Sequence, residues 1–223
     1  MTDEYPVRAV LFDLDGTLVH SPIDFDVMKR DVRALARAHG IDDTHLRATD
    51  VLGLVHEASA LVSRRAEFLE AAGAAILSEE ERAAREVSEA PGAAELLRSL
   101  RAREIKIAIV TRNSRTIASA VLMKLALVHD VIVAREDTPR PKPAPIHLRR
   151  ALVLLRVSPR NAVFVGDHAM DALGGRRAGM RTFGVPTSSA GGAPSFAAFA
   201  AHAPDVMLDE LAQLEAHLDA RRP

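Results

Sequence analysis

The sequence predicts an α/β fold: a doubly wound parallel sheet, with a helical module inserted after its first strand. Three observations lead there. Short apolar runs rich in Val, Ile and Phe, each bounded by turn residues, recur along the chain. Segments with helical spacing separate most of them. One interval near the N-terminus breaks this rhythm and carries helical patterns alone.

The first run, residues 7–12, is followed by others at 105–110, 131–134, 162–165 and 181–185. Continuous apolarity over so few residues is the pattern of strands buried on both faces. Helical patterns lie between them. Residues 114–126 place Ile117, Val121 and Leu125 on one face, 145–155 open with proline at a first-turn position, and 171–178 end at Gly179. Such alternation implies parallel strands joined by right-handed crossovers. A weaker strand at 206–208 and a helix at 209–218 close the chain.

The interval 21–89 contains no convincing strand. Ser21-Pro22-Ile23-Asp24 has the character of a helix start and Gly40 that of a stop. A longer pattern runs through Leu54, Ala58, Leu61 and Val62 to Phe68 and Leu69. Gly73 is placed to interrupt it, and Ser78-Glu79-Glu80-Glu81 reads as a fresh cap. The expected division is therefore a discontinuous core of residues 1–20 and 90–223 around a helical unit of 21–89. Residues 187–194, rich in Gly, Ala, Ser and Pro, read as a surface loop.

Composition narrows the function. Hydrophobic residues make up 48% of 223, enough for a sizeable core, and the net charge of −1 supplies no field to hold nucleic acid or an anionic membrane. Without cysteine, disulfides and thiolate chemistry are excluded. The N-terminal residues lack a basic segment and apolar run, and no stretch of about 18 apolar residues occurs. A soluble, cytoplasmic protein is expected, with its oligomeric state left open.

Four polar clusters follow strand ends, where ligands gather in open parallel sheets. In Asp13-Leu14-Asp15-Gly16-Thr17, alternation sets both carboxylates on one side, and Gly16 lets the backbone turn sharply. Two such acids repel unless a cation lies between them or one holds a proton; a strand-end turn with a capping Asp accounts for the pair equally well. Thr111-Arg112-Asn113 offers a hydroxyl, a backbone amide and a side-chain amide to phosphate oxygens, or simply caps the next helix. Lys142, beside Pro143, can neutralise a phosphate, or be a solvated loop lysine. In Gly166-Asp167-His168-Ala169-Met170-Asp171 the two acids stand one helical turn apart and suit Mg²⁺, a hard ion that takes oxygen ligands. N-capping explains Asp167 but gives no reason for Asp171.

Together and in this order, the clusters resemble the haloacid dehalogenase superfamily, whose pattern is Asp-x-Asp-x-Thr, Thr/Ser, Lys and Gly-Asp-x-x-x-Asp. The resemblance covers the whole core and implies a Rossmann-like sheet with a small helical cap. It implies that Asp13 is the nucleophile and Asp15 the general acid/base. It further implies that Thr111, Arg112 (through its backbone amide), Asn113 and Lys142 bind the phosphoryl group. Asp13, Asp15 (through its carbonyl), Asp167 and Asp171 would serve Mg²⁺. The implied activity is hydrolysis of a small phosphorylated metabolite through an aspartyl-phosphate.

Departures and rivals bear on that reading. His20 stands where close relatives often carry Asp, and Glu104 where glycine is usual. The insert is short beside that of the better-known phosphoglycolate phosphatases. Sugar-phosphate mutases of this kind tend to carry a bulkier residue at the Thr17 position and an acid at that of Gly166. Dehalogenases lack the acid at Asp15. An inactive binding protein on the same fold would have little use for every acid and Lys142. Elsewhere, His39, His45 and His56 lack the spacing of a zinc site, and His168 reads as a non-ligand neighbour. Arg64-Arg65 offers charge to an acidic substrate, although solvated helix arginines are commoner.

Overall fold

The computed structural model describes residues 6–186 and 196–219, which form two compact units, residues 22–86 and the remainder.

The larger unit is built on β1 (Ala9–Phe12), every residue of which is buried. A two-residue strand, β2 (Val19–His20), follows the turn after β1. Past the inserted unit the chain returns through β3 (Ser88–Glu89), which pairs antiparallel with β2 in the register Val19↔Glu89 and His20↔Ser88. Then come α4 (Ala93–Ala102), β4 (Lys106–Val110), α5 (Arg115–Lys124) and β5 (Val131–Val133). The series continues with α6 (Pro145–Leu155), β6 (Ala162–Gly166), α7 (Ala169–Ala178) and β7 (Arg181–Gly184). It ends with β8 (Val206–Met207) and α8 (Leu214–Asp219).

Six strands form one parallel sheet in the order β5-β4-β1-β6-β7-β8. β1 is therefore central, with β4 on one side and β6 on the other. The chain moves outward through β4 and β5, then returns beyond β1 to β6, so the direction of winding reverses there. Right-handed crossovers then put α6 and α7 on one face. Ala9, Leu11, Ala108, Val110 and Phe164 pack on that face against Leu148, Ala151, Leu152 and Ala178. Alternation sends Val10, Phe12, Ile107 and Ile109 to the other face, also buried, where α4 packs on β4. Burial on both faces is why these strands read as unbroken apolar runs.

Element limits shift modestly from those expected. α7 begins two residues early because His168 caps it, its Nδ1 accepting from the Met170 amide at 3.1 Å. The last expected helix starts as a 3-10 turn, Leu211–Gln213, before becoming α8. Glu104 stands at φ 58°, the left-handed conformation that explains why a glycine is usual at this position. The loop expected at 187–194 lies outside the described residues.

The inserted unit is helical, comprising α1 (Phe25–Ala38), α2 (Val51–Leu61) and α3 (Arg65–Glu86). Its core joins Met28, Val32 and Ala36 of α1 to Leu54 and Ala58 of α2, and to Phe68, Ala72 and Ile76 of α3. Three expectations need correction here. α1 starts at Phe25, not beside Pro22, because the preceding segment is held extended. The Pro22 carbonyl accepts from Arg82, and the Asp24 amide donates to Glu79. The Asp24 carboxylate then caps α1 through the Asp26 and Val27 amides at 3.0 and 2.9 Å. Second, the helical pattern breaks at 62–64, where Val62 is extended at φ −74°, ψ 140°. Third, α3 runs unbroken through Gly73 and Ser78: one glycine costs a helix only about 1 kcal/mol, and α3 is packed along its length. Glu79 and Glu80 are buried mid-helix residues, not a new cap. Arg64 pairs with Glu67 at 2.9 Å with both side chains exposed. Among the described residues, no helix is long and apolar enough to cross a membrane.

Candidate active site

The carboxyl end of β1 delivers Asp13 into the polar space between the ends of its two neighbours. Its amide donates to the Val165 carbonyl of β6 at 2.9 Å, so the sheet ladder extends to this residue. Beyond it the chain folds back on itself, with Gly16, Leu18 and Val19 all bonded within the 14–19 turn. Gly16 takes φ 81°, and a Cβ there would lie 2.1 Å from Asp167 Oδ2. No side chain fits between this turn and that carboxylate. Gly16→Ala is therefore expected to cost at least about 1–2 kcal/mol for the left-handed residue alone. That lowers the Tm by roughly 2–8 °C and displaces Asp167 as well. A variant melting within a degree of wild type would contradict this account of Gly16.

The acids from β1 and from the β6–α7 turn meet. One oxygen each of Asp13, Asp167 and Asp171 lies within 4.8 Å of the others. Lys142 enters the group from the loop before α6, with its Nζ 2.7 Å from Asp13 Oδ1 and 2.8 Å from Asp171 Oδ1. Its side chain is buried, and the ammonium lies 5.3 Å from the centre of the Phe164 ring. Asp171 also accepts from the His168 amide at 3.1 Å, which locks it to the helix start. Thr17 donates towards Asp167 at 3.4 Å.

Asp15 stands beside this group on the β4 side, where Asn113 Nδ2 donates to its Oδ2 at 3.1 Å. Thr111 is buried and its hydroxyl accepts from the Asn113 amide at 3.0 Å. The structure thus brings Asp13, Asp167, Asp171 and Lys142 into direct contact range and joins Asp15 to the Thr111–Asn113 turn. The Arg112 guanidinium points elsewhere, towards the Met170 sulfur of α7 at 3.0 Å.

Burial shapes the electrostatics. It pushes Asp13 well above the usual carboxylate range; Lys142 opposes the rise, while Asp171 and Asp167 add to it. Asp15 is also raised by burial, against hydrogen bonds from Ser21 and Asn113. For Lys142, desolvation is outweighed by Asp13 and Asp171, so its pKa rises and it stays charged.

Three carboxyl groups cluster around the Lys142 ammonium, which contacts Asp13 and Asp171. The donors are all hard oxygens, without cysteine, which is the chemistry a divalent cation such as Mg²⁺ requires. The residues present fit such an ion.

Sequence reasoning overlooked two contributors. Ser21, which the sequence marks only as part of a helix start, bonds to Asp15 instead. His147 is fully buried five residues after Lys142 and bonds to its backbone. Its position on the inward stripe of α6, beside Leu148 and Ala151, was the available signal.

Comparison with known proteins agrees with this architecture. Pyrophosphatase PpaX of Bacillus cereus is 37% identical over 122 residues, which cover 54% of this chain and 55% of the relative. The chain thus aligns with about half the length of the curated relatives it matches. Among solved structures, a hydrolase from Pseudomonas syringae superposes with a TM-score of 0.68 at 24% identity, covering 95% of this chain and 98% of its own. CbbY from Rhodobacter sphaeroides, in complex with phosphate, superposes with a TM-score of 0.64 at 24% identity, covering 96% and 100%. At that identity the likeness speaks for the fold. A family model for haloacid dehalogenase-like hydrolases matches residues 7–179, and the chain belongs to that family.

Proposed function

We propose that this hydrolase is a Mg²⁺-dependent phosphatase for small phosphorylated metabolites, with Asp13 as its nucleophile. The observation that carries the reading is the Lys142 ammonium bridging Asp13 and Asp171, with Asp167 within 4.8 Å. An anionic nucleophile can approach an anionic phosphate only where cationic charge offsets both. Lys142 supplies part of that charge.

The chemistry follows from the side chains. An Asp13 oxygen attacks phosphorus, and the ester P–O bond breaks as Asp15 gives its proton to the leaving oxygen. Asp15 is suited to carry that proton because burial raises its pKa. The alcohol departs and an aspartyl-phosphate remains. Asp15, now a carboxylate, takes a proton from water as the water attacks phosphorus. Orthophosphate leaves and Asp13 is restored. Thr111, Asn113, Lys142 and the Arg112 amide bind the phosphoryl oxygens in this scheme. Asp13, Asp167, Asp171 and the Asp15 carbonyl would hold Mg²⁺, which when bound neutralises charge on the phosphoryl oxygens. The helical unit of residues 22–86 would act as the cap that selects the substrate and excludes water.

Pyrophosphate is a second candidate substrate, favoured by the 37% identity to proteins named pyrophosphatase. A panel of sugar phosphates, small acid phosphates, pyrophosphate and a phosphopeptide, assayed for released phosphate with Mg²⁺, tests both. Release from small esters is expected and release from the phosphopeptide is not. Hydrolysis of pyrophosphate alone would select the second reading, and no release from any compound would overturn both.

A further inference from the structure

Among the described histidines, His147 uses its ring in a way the proposed reaction scheme does not include. It is fully buried at the third position of α6. Its Nδ1 accepts from the Lys142 amide at 3.1 Å, and its Nε2 lies 3.0 Å from the Ala134 carbonyl. A backbone amide can only donate and a carbonyl can only accept, so the ring carries its proton on Nε2. Burial first, and the Lys142 charge second, pull its pKa down to about 4, so the neutral form is held.

The two bonded atoms are not arbitrary. Ala134 directly follows β5, and Lys142 lies late in the loop that leaves it; one imidazole joins both ends of the 134–142 segment. β5 is hydrogen-bonded to β4, and β4 to β1, which carries Asp13. Main-chain bonds therefore run from the strand of Asp13 across β4 to β5, and the imidazole carries the connection on from Ala134 to the amide of the lysine that must meet it. An aliphatic residue could fill the same volume, but it would leave the buried Lys142 amide without its acceptor and the Ala134 carbonyl with the Asp137 amide alone.

We propose that His147 is the positioning residue for Lys142: it ties the lysine's main chain to the end of β5 and so fixes the ammonium between Asp13 and Asp171. The inference rests on the reading of Lys142 as the cation that serves Asp13 and the phosphoryl group. It predicts an order among substitutions. Asparagine can keep an acceptor near the Nδ1 position, facing the Lys142 amide. Glutamine reaches the Nε2 position and keeps the donor to Ala134. Leucine keeps neither. If positioning of Lys142 is the role, Asn should preserve function better than Gln, and Leu least.

Two readouts test this. The first is kcat and KM on p-nitrophenyl phosphate with saturating Mg²⁺. The second needs neither metal nor turnover: acetylation of the metal-free protein, followed lysine by lysine by peptide mass spectrometry. The chain has four lysines, and Lys106, whose Nζ donates to the Leu155 carbonyl at the far end of α6, reports whether the whole helix has loosened. His147→Leu should speed Lys142 acetylation about tenfold while Lys106 stays at its wild-type rate. It should lower kcat by about 10²-fold, more than it changes KM. His147→Asn should recover most of both effects, and His147→Gln little.

Equal rises at Lys142 and Lys106, or an unchanged Lys142, would overturn the proposal in favour of a packing role. Should His147→Leu fail to fold, identical kcat and labelling in the Asn and Gln variants would overturn it just as well. If the wild type releases no phosphate from any substrate, the phosphatase reading falls, and the labelling pattern still decides whether His147 positions Lys142.

Discussion

Asp13→Asn should reduce turnover by about 10⁴-fold or more while leaving the protein folded. The amide is nearly isosteric, and its oxygen can still accept from the Leu14 amide, now 2.7 Å from Asp13 Oδ1. What it cannot do is carry negative charge to phosphorus or form an acyl-phosphate. Stability should not suffer either. Asp13 is a buried acid whose ionisation is opposed first by desolvation and then by Asp171 and Asp167, so removing its charge relieves a cost in the metal-free protein. The expected pair of results is thus an inactive enzyme with an equal or higher Tm without metal. Multiple turnovers by a contamination-controlled variant would refute Asp13 as the nucleophile. A collapsed Tm would instead mean that the carboxylate has a structural role.

Metal removal is expected to be equally severe. After EDTA, activity should fall to background and return when MgCl₂ replaces the chelator, because the clustered oxygens of Asp13, Asp167 and Asp171 are the set proposed to hold the ion. The ion should also stabilise the fold. A ligand that binds only the native state at 100 times its Kd adds about 2.7 kcal/mol. A Mg²⁺-dependent rise in Tm, absent from an Asp167→Asn variant, would locate the binding among these acids. Undiminished activity in chelator with metal content confirmed as nil would sink the mechanism. Zinc is a poor alternative, since the described cluster offers neither thiolate nor imidazole.

How much of this was legible in the sequence depends on how each feature is encoded. The central strands β1, β4 and β6 announced themselves, because burial on both faces demands apolar residues without interruption, as in Ile107–Val110 and Val163–Val165, whereas the half-exposed edge strand β8 gave only a weak signal. The acids were legible for a related reason: carboxylates at the ends of such strands have no role in the core. β2 and β3 were not, since two residues cannot display a period. α4 was poorly marked although Leu96, Leu97 and Leu100 form its buried face, because it starts at Gly92 with no capping side chain. In the inserted unit, local signals misled because tertiary contacts overrode them. Arg82 and Glu79, distant in sequence, hold the segment before α1 extended, and packing carries α3 across Gly73. His147 was hidden for a different reason. Its partners are main-chain atoms, and main-chain atoms leave no trace in a list of side chains.

The central place of β1 sets a problem of timing during synthesis. Its partners arrive late: Ala9 pairs with Lys106, 97 positions on, and with Ala162, 153 positions on. At about 5–20 residues per second, a ribosome needs roughly 8–30 s to deliver the second of them. Throughout that interval the apolar strand that ends at Asp13 has emerged without the neighbours that will cover it. The helical unit behaves oppositely, for its 65 residues find their contacts among themselves and are complete before β4 has been made. A nascent chain therefore carries a finished helical unit beside an unsatisfied strand, and the residues around Asp13 are the ones a chaperone would have to shield longest.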